Sequence, residues 1–156
     1  MATETTAAEH PPRGALCSAI STAIVRLMRE YTGRGPMKAR TTIRDNVVLV
    51  MLEQTLTKGE QVLVGKGRGE NVLVLRHEFQ EAMREESSDK VAELTGRGVT
   101  AMMSANHLAP DLAAEIYILD GPPAHREATP TDGSQQQTDS LPPRRTSESD
   151  DGRAPV

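Results

Sequence analysis

Apolar residues recur at spacings of three and four through Leu16, Ile20, Ile24, Leu27 and Tyr31, the stripe of an amphipathic helix. Gly33 follows as a C-terminal stop, so the spacing predicts a helix over 14–32. After Gly33-Arg34-Gly35-Pro36 the period changes to two: Lys38, Arg40, Thr42 and Arg44 alternate with Met37, Ala39, Thr41 and Ile43. That is a strand with one cationic face. Asp45-Asn46 reads as a turn into Val47-Val48-Leu49-Val50-Met51-Leu52, a second strand apolar on both sides and therefore covered on both. In a chain this short one cover comes from its own helices; the other comes from a second subunit or partner, or else the strand is simply central and buried. A charge placed at Val48 or Val50 tests the interface reading.

Between 57 and 75 two readings compete. Gln61-Val62-Leu63-Val64 and Asn71-Val72-Leu73-Val74-Leu75 flank a glycine-rich Gly65 to Gly69 and suit a hairpin. Thr57 with Glu60 three residues on has the spacing of a helix-capping box, which favours a short helix over 57–64. Val72, Leu75, Phe79, Met83, Val91 and Leu94 then trace a long helix over about 70–95, stopped at Thr95-Gly96. Strands near 98–104 and 112–119 close the pattern, joined by a loop from Asn106 to Asp111. The order α-β-β-α-α-β-β predicts an α+β two-layer sandwich, a four-stranded, largely antiparallel sheet with helices packed on one face.

Composition narrows the classes. Phe79, Tyr31 and Tyr117 are the only aromatics, too few for base- or sugar-stacking platforms. Cys17 is the single cysteine, which excludes an intramolecular disulfide and a cysteine zinc site. No apolar run approaches the roughly 20 residues of a membrane span, and the first twelve residues lack the features of a signal peptide. The expected location is cytoplasmic. Residues 120–156 hold six prolines and, as larger aliphatics, only Leu141 and Val156; 1–12 and 120–156 are expected to be disordered flanks around a domain at 13–119. Of the net charge of −4, the tail carries −3 and the first twelve residues −2, leaving +1 for 13–119. A near-neutral domain argues against nucleic-acid binding.

Candidate chemistry is sparse. Gly65 to Glu70, with Lys66 and Arg68 among glycines, matches neither the phosphate-loop spacing nor the dinucleotide fingerprint and reads as a connector. The densest charge lies between Arg26 and Arg44, where Arg26, Arg29, Arg34, Lys38, Arg40 and Arg44 face only Glu30. It is either a solvated strand face with a helix-end turn or a surface for an anion or an acidic partner, the chain's own acidic tail included. His77 and Glu81 stand one helical turn apart, but nothing supplies further metal ligands. Cys17 has no accompanying base, and no nucleophile–base pair or metal set appears. No enzyme, cofactor or metal is expected.

The tyrosine-to-GRGP segment Ile24–Tyr31 and Gly33–Pro36, then Leu56–Glu60, Arg76, Phe79-Gln80, Glu93–Val99 and Ile116–Leu119 resemble the MpsC-like family of small bacterial proteins. The resemblance covers about 15–119. It implies two successive helices over 57–86, although Gly65 to Gly69 and the β-branched Val72 and Val74 depart from the polar helical stretch usual there. It also implies a context, since the family is named for a sodium-translocating, membrane-potential-generating system whose other parts are linked to inorganic carbon uptake. By resemblance Arg34, Pro36, Thr95, Gly96 and Arg97 are positions to test. The resulting expectation is a non-enzymatic accessory or regulatory protein, a homodimer with a membrane transporter subunit as a further partner. The alternative is a small-anion or nucleotide sensor built on Arg34, Lys38, Arg40, Arg44 and Arg97, with Arg34 and Arg97 meeting at one end of the sheet.

Overall fold

The computed structural model describes residues 12–124. The elements are α1 (Arg13–Thr32), β1 (Lys38–Arg44), β2 (Val47–Glu53), α2 (Lys58–Gly65), α3 (Gly69–Thr95), β3 (Val99–His107) and β4 (Leu112–Leu119). The strands form one antiparallel sheet in the order β1-β2-β4-β3. The α+β sandwich expected from the hydrophobic pattern is the fold observed. Most of both predicted flanks lies outside the described residues.

Helix ends follow local chemistry. Gly33 and Gly96 sit in the left-handed region, at φ 75° and 64°, and their N–H groups cap Arg29 and Ala92 carbonyls. A side chain there would meet its own backbone. At α2, the Thr57 hydroxyl accepts from the Glu60 N–H at 3.2 Å and the Glu60 carboxylate accepts from the Thr57 N–H at 2.6 Å. That reciprocal cap settles 57–75 as two helices rather than a hairpin. Val62, Leu63, Val74 and Leu75, which gave the segment its strand-like look, are exposed on those helices.

The core lies between α1, α3 and one sheet face. Leu16, Ile20, Ile24, Leu27 and Met28 of α1 and Met83 and Val91 of α3 pack on Ile43, Val48, Val50, Leu52, Met102, Ala113, Tyr117 and Leu119. Ser21 and Thr41 share a 2.7 Å hydrogen bond across the same layer. The second hairpin is longer than its sequence suggests: β3 runs on to His107, so Asn106 belongs to a strand and not to a loop. Its polarity marks a partner instead, because Asn106 Oδ1 accepts from Arg76 Nε at 3.0 Å and its Nδ2 donates to Gln80 at 2.8 Å. The turn at Leu108–Asp111 contains a cis Ala109–Pro110 bond.

Candidate functional site: an uncovered apolar sheet face

Strict alternation along β2 and β4 sends Val48, Val50, Leu52, Ala113, Glu115, Tyr117 and Leu119 toward the helices. Val47, Leu49, Met51, Leu112, Ala114, Ile116 and Ile118 then point the other way. Register joins them into rungs that cross the whole sheet. Arg44, Val47, Ile118 and Ala101 form one; Thr42, Leu49, Ile116 and Met103 the next; Arg40, Met51, Ala114 and Ala105 a third; Lys38, Glu53, Leu112 and His107 the last. Among the described residues no element covers this face. Its β2 and β4 side chains are only half-buried, shielded by one another, and Met103 is 51% exposed. The face is apolar over three strands and cationic along β1.

This placement corrects one expectation. Val48 and Val50 are fully buried against the helices, so a charge there disrupts the core and tests no interface; Val47, Leu49 and Met51 are the residues of β2 on the open side. The run 47–52 is apolar on both faces because two different covers are called for, only one of which the chain supplies among the described residues.

The cationic residues singled out from the sequence fall into three places. Lys38, Arg40 and Arg44 line the β1 edge of the open face. Lys38 is 3.4 Å from Glu53, while Arg40 and Arg44 have no ion-pair partner among the described residues. Arg34 lies at the sheet end near the Lys38 rung, donating to the Leu56 carbonyl at 2.5 Å beside Gln61, which donates to the same oxygen. A cleft of about 480 Å³ lined by Arg34, Gln54, Leu56, Gln61 and Asp111 opens there. Arg97 sits at the opposite end, before the Val99–Leu119 pair, and donates to the Pro122 carbonyl at 2.8 Å. The two arginines therefore do not meet. Each follows a helix-ending glycine, but α1 and α3 run antiparallel and finish at opposite ends of the sheet. Lys66 and Arg68 are exposed in the α2–α3 connection, and Glu81 is committed to Arg84 rather than to His77.

Beneath the covered face lies a polar network that charge counting misses. Arg76, 5% exposed, donates to Glu60 at 3.2 Å, to Thr55 at 2.7 Å and to Asn106. Asn106 continues to Gln80, and Gln80 to Glu115 at 3.1 Å, which also accepts from Ser104. Burial raises the Glu115 pKa, with the hydrogen bonds from Ser104 and Gln80 and the charges of Arg76 and Arg84 opposing. The space beside Arg76 and Gln80 is too small for a ligand, so this network positions elements: it fastens α2 and α3 to β3 and β4. Its one legible signal was Glu115, a lone charge at an inward position of an otherwise apolar strand. The open face carried a signal too, in the failure of β2 and β4 to alternate apolar with polar.

Among the described residues no group of three or more His, Cys, Asp or Glu side chains is placed to hold a metal, and no helix is long and apolar enough to cross a membrane. Comparison with known proteins gives a relative and a family. Over 88 residues, 56% of this chain and 71% of the relative, the sequence is 31% identical to uncharacterized protein YbcI of Bacillus subtilis (strain 168). No solved structure matches. Residues 12–121, from just before α1 to just past β4, match the family described as Na+-translocating membrane potential-generating system (MpsC), and the chain belongs to that family.

Proposed function

We propose that the protein is a non-enzymatic accessory or regulatory component that works by protein contact through the open face of its sheet. The carrying observation is that face itself: seven half-buried aliphatic residues on β2 and β4, continued by Ala101, Met103 and Ala105 on β3. An antiparallel sheet with one solvated face ordinarily puts polar side chains there, and contiguous exposed apolar patches on folded proteins mark interaction sites. The family description supplies the context, a system that translocates sodium and generates a membrane potential. Within that context a membrane transporter subunit is a further partner of the protein, beside whatever covers the open face.

Ile116→Asp tests this reading, because Ile116 faces away from the helices and its substitution leaves the core intact. In cells expressing the full chain, the wild type is expected to migrate in a larger assembly on native gels and the variant, with unchanged circular dichroism, to leave it. Identical migration of the two would remove the face from function. The small-anion reading has less support, since its five residues divide among a sheet edge and two opposite ends. What remains of it is the cleft beside Arg34, for which calorimetry with phosphate, bicarbonate and nucleotides, and loss on Arg34→Ala, is the test.

A further inference from the structure

We infer that the occupant of the open face is a second copy of this chain, docked sheet on sheet about a twofold axis that runs parallel to the strands between β2 and β4. The inference rests on the contact reading above and names its partner. Three features of the face carry it.

The first is size. Four strands at about 4.8 Å spacing and seven to nine residues at about 3.3 Å rise give a footprint of about 19 by 25 Å. That is about 475 Å² in plan before side-chain relief, the scale of a small interface beside the roughly 800 Å² a side of a standard one, with the exposed side chains of Arg40, Arg44 and Met103 adding to it at the border.

The second is charge. A twofold axis between two facing sheets can lie across the strands or along them. Across the strands, β1 covers its own copy, and Lys38, Arg40 and Arg44 meet the same three cations with no acid between them except Glu53. Like charges so opposed cost binding. Along the strands, β1 covers the partner's β3 instead, and the two cationic rows lie on opposite edges of the sandwich. They are then about three strand spacings, or about 14 Å, apart sideways, beyond the screening length of about 8 Å at physiological salt.

The third is shape. With the axis along the strands each rung meets the reversed copy of itself, so that over three of the four rungs large residues meet small ones or aliphatics meet aliphatics. In the last, Lys38 meets His107 and Glu53 meets Leu112. Met51 faces Ala114 of the second copy, Met103 faces Thr42, and the long stems of Arg40 and Arg44 lie over Ala105 and Ala101. At the centre Leu49 meets Ile116 and Ile116 meets Leu49, the self-complementary pairing that an isologous interface requires. The product is a four-layer helix–sheet–sheet–helix dimer in which the helices of both copies remain outside.

Cysteine trapping reads this geometry on the full chain. In a Cys17→Ser background, Thr42→Cys and Met103→Cys place thiols on exposed edge positions. A mixture of the two variants is expected to form a heterodimeric cross-link with a short bismaleimide, and each variant alone is expected to stay largely uncross-linked. Self-cross-linking of Thr42→Cys would overturn the axis. A monomer at all attainable concentrations would overturn the second copy. If Ile116→Asp still dissolved a cellular assembly, the contact reading would stand with another protein as occupant. If the face became reactive only after deletion of 125–156, the chain's own tail would be the occupant and the inference would likewise fall.

Discussion

Tyr117 and Glu115, neighbours along β4 on the covered side, pose the sharpest energetic questions at the scale of single residues. The Tyr117 hydroxyl is buried with no well-formed hydrogen bond among the described residues; burial pushes its pKa up, opposed by the nearby Ser87 hydroxyl, which already gives its hydrogen bond to the Arg84 carbonyl. A buried hydroxyl without a partner carries its desolvation cost uncompensated. Tyr117→Phe is therefore expected to leave stability unchanged or to raise it by about 1 kcal/mol, measured by denaturant unfolding; a loss of that size would show that the hydroxyl has a partner in solution. For Glu115 the direction follows from linkage. Its folded pKa is raised by burial, so the folded state holds its proton more tightly than the unfolded chain does. Stability from this group is then full below the ordinary carboxylate range and falls as pH rises from there toward the folded pKa. Glu115→Gln keeps the shape and removes the titration. Its advantage over wild type is expected to be largest at neutral pH and to vanish below pH about 4, read as the difference in melting temperature across that window. A difference that does not change with pH would contradict a buried, titrating Glu115.

At the scale of elements the weak link is α2. Glu60 is its only buried residue, and the same carboxylate closes the helix cap and pairs with Arg76. Glu60→Ala removes the cap partner and leaves the Arg76 guanidinium buried and short of a counter-charge. Breaking one partner of a buried pair costs about 3–5 kcal/mol. Hydrogen exchange is expected to show α2 opening first, with protection lost over 58–65 while α1 and the sheet keep theirs; uniform loss would mean that α2 is part of the cooperative core. The same element shows how far sequence reading reaches. Strand β1 and helix α1 were legible because burial on one side leaves a clean period of two or 3.6, and β2 because a short, continuous, β-branched apolar run after a turn reads as a covered strand. Residues 61–75 were ambiguous because α2 and the start of α3 leave Val62, Leu63, Val74 and Leu75 exposed, so apolar residues there do not report burial. The local cap chemistry of Thr57 and Glu60 decided the matter where periodicity did not. The end of β3 was missed because Asn106 looks like a turn residue when its partners Arg76 and Gln80, 30 and 26 residues away, are out of view.

At the scale of the molecule, the candidate surface was half visible in the sequence. A strand apolar on both faces announces a second cover, and the cationic row of β1 was readable as one side of an alternating strand. Which valines face out depends on the side the helices take, and the apolar run alone does not fix that. The convergence expected of Arg34 and Arg97 failed for a related reason, since identical glycine–arginine endings on two antiparallel helices must lie at opposite ends of the sheet. Among the described residues the fold thus leaves one apolar sheet face uncovered, with Arg40 and Arg44 without ion-pair partners along its β1 border. The most direct test is the solution mass of the full chain by light scattering, beside that of Ile116→Asp. The wild type is expected at twice its chain mass of 16.9 kDa and the folded variant at the chain mass itself; wild type and variant both at a single chain mass would contradict the dimer, and both at twice that mass would place its interface elsewhere.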